Sequence, residues 1–191
     1  MRISAALGIL ALASTAACAV NPQLPEMIVA DETVVEVPIG TPLANRIFVG
    51  DVVNAAEQSF SQVRPQLNNK SVIAALEQSL AAYGMQDLNR SEIRVDVDVL
   101  STGQAPFSEP LGTVRAEYRL STKAGVPIFQ ETIETPYRAP TVGALTPDRF
   151  SRRALERGVR DNIQAFIDRL LDLQQQNPEL FGPPGPTIAA G

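Results

Sequence analysis

Two segments alternate so strictly that they leave little choice of fold. Residues 92–100 read EIRVDVDVL and residues 113–120 read TVRAEYRL. In the first, Ile93, Val95, Val97 and Val99 fall to one side, and Arg94, Asp96 and Asp98 to the other. In the second, Val114, Ala116, Tyr118 and Leu120 fall to one side, and Arg115, Glu117 and Arg119 to the other. Strand side chains alternate with period two, so each segment predicts a strand with one dry and one wet face. A sheet of such strands has to be covered on its dry side.

The cover is readable as two stretches of helical period. In NKSVIAALEQSLAAY (69–83), Val72, Leu76, Leu80 and Tyr83 share one helical face, and Gly84 suits the residue after a helix end. The second helix starts at Thr146-Pro147-Asp148, where Thr can cap, Pro suits the first turn and Asp complements the dipole. It runs to about Leu173. Leu155, Val159, Ile163, Phe166, Leu170 and Leu173 form its apolar stripe, with Arg152, Arg153, Glu156, Arg157, Arg160 and Asp161 mostly outside it.

Other strands complete the layer. Arg46 to Val53 is rich in strand formers, and Asn54 to Gln66 reads as a loop or short helix. Lys123 to Val126 reads as a turn with Gly125 at positive φ, and Pro127 to Thr135 as the returning strand. The expected architecture is two-layer α+β: an antiparallel sheet of about three to five strands with both helices on one face. Between antiparallel neighbours, Arg115 and Arg119 are expected opposite Asp96 and Asp98.

The two ends have a different character. Residues 1–17 carry Arg2, an apolar stretch from Ile3 to Ala13, then small residues, which is the pattern of a signal peptide. The apolar stretch is shorter than the roughly 20 residues of a membrane-spanning helix. Ordinary secretory cleavage would fit after Ala17 or Ala19. Thr15-Ala16-Ala17-Cys18 also resembles the lipobox of bacterial lipoproteins, with Thr15 where Leu is usual. That resemblance implies cleavage between Ala17 and Cys18 and a lipid on the Cys18 sulfur. It also accounts for a lone thiol in an exported chain, since acylation consumes it. Ala19 stands where an Asp would retain an enterobacterial lipoprotein at the inner membrane, so the outer membrane is the expected location. Residues 18–45, broken by four prolines, read as an acylated N-terminus and tether, with Thr33 to Val37 as a possible edge strand. Residues 46–173 form the domain, and the proline-rich residues 174–191 read as a disordered tail.

Composition excludes much chemistry. The chain has no histidine, which removes Ser-His-Asp and Cys-His catalysis and His-ligated zinc. One cysteine removes disulfide frameworks and cysteine-rich metal sites. A net charge of −5 argues against nucleic acid as a partner. The five arginines between Arg149 and Arg160 read as a solvated helix face. Asp96 and Asp98 lack a third ligand, so no metal site is expected. The only lysines are Lys70 and Lys123, and Ser71 beside Lys70 would point away from it on a helix, which weakens a Ser–Lys pair. There is no phosphate-loop motif, and no cofactor is expected. Asn162 stands out as an amide within a charged and apolar helix, suited to bonding a loop or a backbone edge.

Three local patterns carry a family resemblance. They are NRIFVGDV (45–52), AALEQSL (74–80) and ALERGVRDNIQAFIDRL (154–170), supported by the middle strand ending at Leu120 and by ETI (131–133). Together they resemble the YajG-type and related alphaproteobacterial envelope lipoproteins, across roughly residues 45–173, with Gly158 where that pattern usually carries Ala. The resemblance implies a membrane-anchored, periplasm-facing domain of poorly defined function. The expected role is non-enzymatic: binding an envelope partner, whether protein, lipid or peptidoglycan. The alternative is an auxiliary lipoprotein of a transport or lipid-trafficking system. Some chains of this appearance are labelled acyltransferases of UDP-N-acetylglucosamine, but those enzymes resemble one another in hexapeptide repeats and a catalytic histidine, which this chain lacks.

Overall fold

The computed structural model describes residues 24–29, 34–55, 67–103, 111–138 and 147–183. Its elements are β1 (Ile47–Val53), α1 (Asn69–Ala82), β2 (Ile93–Ser101), β3 (Leu111–Thr122), β4 (Pro127–Arg138) and α2 (Pro147–Gln176), with 3-10 turns at Leu24–Met27 and Pro178–Phe181. The four strands form one open sheet in the order β1-β2-β3-β4. The expected α+β class, with two helices on one face of the sheet, is what forms.

The sheet is mixed rather than wholly antiparallel, because β1 runs parallel to β2. The connection between them is a whole helix, and a crossover of that length returns the chain to the end it started from. β2, β3 and β4 form the antiparallel meander. The alternation in β2 and β3 sorts as read: Ile93, Val95, Val97, Val99, Val114, Ala116, Tyr118 and Leu120 are all buried. α1 is capped by the Asn68 side chain, which accepts from Lys70 N at 2.9 Å, and Gly84 follows its end at φ +67.

α2 lies across β3 and β4. Its six stripe residues are buried as expected, and Ile167 joins them. Glu156, expected outside the stripe, is 2% exposed. One turn earlier Arg152 donates to it at 2.9 Å, so the carboxylate goes inward with a partner. Asn162 is buried too. Its Nδ2 donates to the carbonyls of Val114 (3.3 Å) and Ile133 (3.1 Å) and to the Thr135 hydroxyl (3.1 Å). Its Oδ1 accepts from the Tyr118 hydroxyl at 2.8 Å, and the Tyr118 ring stacks on Phe166 with centroids 4.1 Å apart.

Two stretches expected to lie outside the domain are part of it. Within the expected tether, Met27 and Leu43 are fully buried, and Val29 and Val37 nearly so. Residues 34–37 form no strand; Pro38 follows, and Val37 N–H donates to Tyr83 O at the end of α1 instead. Val29 N–H donates to the Ser79 hydroxyl at 2.9 Å. Prolines deny this segment a ladder, yet its scattered apolar side chains fill the space against the two helices. At the other end, order continues beyond Gln174 to Pro183, with Phe181 buried. Gln174 accepts from Leu43 N at 3.1 Å, and Arg46 donates to the carbonyls of Pro42 (3.0 Å) and Pro183 (2.7 Å) while pairing with Glu92. The expected loop at 54–66 lies largely outside the described residues.

Gly158 has a packing reason. A Cβ there would sit 2.8 Å from Cδ1 of Tyr137, and a Cβ at Gly112 would also strike that ring. Tyr137 therefore occupies a slot that two glycines leave open, one on α2 and one on β3. Gly158→Ala is expected to destabilise the domain by about 1–3 kcal/mol, despite the roughly 1 kcal/mol that Ala gains over Gly within a helix. The loss should shrink when Tyr137 is also replaced by Ala. Urea denaturation of both singles and the double checks this, and a stabilised Gly158→Ala would sink it.

Candidate functional site

The helices leave one side of the sheet bare. Among the described residues no helix or strand packs on the face formed by Arg94, Asp96 and Asp98 of β2 and Arg115, Glu117 and Arg119 of β3. β4 adds Gln130, Thr132 and Glu134, and β1 contributes Phe48 and Asp51.

Asp96 is the centre of this face. Arg94 Nε lies 2.9 Å from both its oxygens, and the same guanidinium reaches Asp51 Oδ2 at 2.7 Å. Asp51 N–H donates to Asp96 Oδ1 at 2.7 Å. The β1–β2 register breaks between Val49 and Val52, so a carboxylate here takes a donor in the stretch where the ladder is interrupted. A Cβ at Gly50 would collide with the Asp96 carboxylate and the Arg94 guanidinium. Nearby, Arg90 sits 5.3 Å over the Phe48 ring and donates to Val49 O at 2.8 Å, from a residue at φ +52. Burial pushes the Asp96 carboxyl up. The Arg94 hydrogen bond, the Asp51 N–H and the charges of Arg94 and Arg119 outweigh it, and the net position is below the ordinary carboxylate value. Reading the sequence for alternation alone missed this cluster. The signal was Gly50 inside a strand pattern, which marks a bulge or a close approach.

The expected charge pairing across β2 and β3 forms at one of its two positions. Asp96 stands opposite Arg119, but Asp98 stands opposite Glu117. Antiparallel partners keep a constant sum, so arginines four apart cannot both oppose aspartates two apart. The like charges are relieved locally: Asn54 Nδ2 donates to Asp98 Oδ1 at 2.7 Å, and Arg119 lies 3.6 Å from Glu117.

A second carboxylate, Asp87, organises the turn before β2. Burial pushes it up, but N–H groups of Ser91, Asn89 and Glu92 and the Ser91 hydroxyl hold it below the usual value. Lys70 and Lys123 are both exposed. Burial pushes the Tyr118 phenol well above its ordinary value, and its hydroxyl is held by Asn162. Asn162 is 1% exposed, so it serves the core rather than a partner. Among the described residues no group of three or more acidic or cysteine side chains is placed to hold a metal. No described helix is long and apolar enough to cross a membrane. Ala17 and Cys18 lie outside the described residues.

No protein-family model matches the sequence, and no curated protein matches it. Solved structures match in shape. A Xanthomonas campestris protein of the DUF330 family superposes with TM-score 0.56 at 12% identity, covering 74% of this chain and 92% of that one. A hypothetical protein from Chlamydia trachomatis superposes with TM-score 0.51 at 10% identity, covering 66% and 95%. A minor lipoprotein from Acinetobacter baumannii gives 0.47 at 13% identity, covering 68% and 94%. At these identities the likeness is one of fold.

The Asp96 cluster makes a pH-dependent contribution of known sign. Its folded-state pKa is lowered, so the contribution is present above the unfolded carboxylate value near 4 and is lost as pH falls through the folded value. Asp96→Asn is expected to lower stability by about 1 kcal/mol near neutral pH. The difference from the parent should close as pH falls below about 4. Denaturant midpoints across that range check it; a gap independent of pH would contradict it.

Proposed function

We propose that this chain is a non-enzymatic lipoprotein of the bacterial cell envelope. It is cleaved between Ala17 and Cys18, acylated on Cys18, and held with its α+β domain facing the periplasm, where it binds an envelope partner. One observation carries the reading: the chain's single cysteine stands directly after Thr15-Ala16-Ala17, behind a short apolar leader with Arg2 near its start. Two or more acyl chains give a stable anchor where one is marginal. The resemblance to YajG-type lipoproteins supports the same reading, and Ala19 favours the outer membrane.

The domain supports a binding role in its own way. The carboxylates of Asp96, Asp98 and Glu117 on the bare face are already engaged by a guanidinium or an amide. Such a face offers shape and a fixed charge pattern to a partner surface. A second reading, an auxiliary lipoprotein of a transport or lipid-trafficking system, draws on β4. Among the described residues that strand is an edge of the sheet, twelve residues long, with no neighbour beyond it. A free edge accepts an added strand from another chain.

The test is metabolic labelling with a palmitate analogue, followed by membrane fractionation of the parent and Cys18→Ala. The parent is expected to take label and to sediment with membranes, and the variant to lose both. An unlabelled parent recovered in the soluble periplasm would overturn the lipoprotein reading.

A further inference from the structure

The first half of α2 is rich in arginine. Arg153, Arg157 and Arg160, at spacing four and three, form one outward stripe in the first half. The second half carries the exposed acids Asp168 and Asp172 beside Arg169, and Asp148, Glu156 and Asp161 lie among the arginines of the first half.

The basic half is also the part of the helix nearest the proposed anchor. Glu26, in the Leu24–Met27 turn, lies 3.5 Å from Arg157. Met27, the next residue, is fully buried, so the chain joins the fold here. Cys18 is eight residues before Glu26. At about 3.6 Å per residue, the fully extended link reaches at most roughly 29 Å. A domain of this size is roughly 40 Å across. An acylated Cys18 would hold the arginine stripe within reach of the bilayer surface, while the opposite side of the domain stays away from it.

We propose that Arg153, Arg157 and Arg160 seat the domain on anionic phospholipid headgroups. The proposal rests on the lipoprotein reading and adds the orientation. Arg153 has no partner among the described residues, and Arg157 and Arg160 are engaged only by the part-exposed Glu26 (3.5 Å) and Asp161 (3.8 Å). Guanidinium groups exchange such loose surface pairs for phosphate, which they bind bidentately. Each basic residue near an anionic surface shifts the seated-to-free ratio by about fivefold, so three act on the order of 100-fold before Glu26 and Asp161 are counted. With the anchor keeping the stripe close, that suffices to set an orientation.

The experiment uses the acylated protein reconstituted into vesicles of phosphatidylcholine alone or mixed with phosphatidylglycerol. A fluorophore is placed on Asp161→Cys, beside the stripe, or on Gln130→Cys, on the far sheet face. Acylated Cys18 does not react, so each variant takes one label. Protein should float with both vesicles. On the mixed vesicles alone, iodide quenching at position 161 should fall severalfold, while position 130 stays open. Salt, the single change Arg153→Glu, or Arg153→Gln with Arg157→Gln and Arg160→Gln should restore quenching. Equal quenching at position 161 on both vesicles, with flotation intact, overturns the seat and leaves the anchor standing. A second label on Cys18 together with loss of flotation overturns the anchor and the seat with it.

Discussion

One buried amide holds the two layers in register. A sheet that is dry on one face attracts a helix, but apolar contact alone leaves the helix free to slide, since hydrophobic burial has no direction. Asn162 removes that freedom. Its donors reach main-chain carbonyls on both β3 and β4, and its acceptor takes the Tyr118 hydroxyl. Any shift of α2 along the strands would strand these groups without partners, at roughly 1–3 kcal/mol each. The stacked Tyr118 and Phe166 rings, the Tyr137 slot and the inward Glu156 all take their positions from that register.

The second layer of constraint is the bare face. There the polar groups face water, and the ordering comes from charge. Asp96 gathers Arg94 and the Asp51 amide at the point where β1 departs from regular pairing. The core and this face thus solve one problem twice: each places a polar side chain where the backbone pattern is incomplete or must be fixed.

How far the sequence reveals this depends on the kind of signal. Strands β2 and β3 and both helices were legible because a periodic pattern reports directly on which face is buried. The β1–β2 direction was misread, although the helix that connects the two strands points to a parallel pair. The stretch before β1 was misread because prolines report on hydrogen-bond ladders and say little about packing; single residues such as Met27 and Leu43 can be core without any period around them. Phe181 escaped in the same way. Gly158 looked like a departure from a family pattern until Tyr137 was seen against it. Cys18 lies outside the described residues, so its reading rests on the order of residues alone.

The clasp between the chain's two ends has a consequence for timing. Leu43 meets Gln174, and Arg46 meets the carbonyl of Pro183, across 131 and 137 residues of sequence. Contacts of such separation close late, because the intervening chain has to be gathered first. A polypeptide emerging N-terminus first would deliver Leu43 and Arg46 early and their partners last. The domain would complete only when nearly the whole described chain was available, so its two flanking segments are the last to lock.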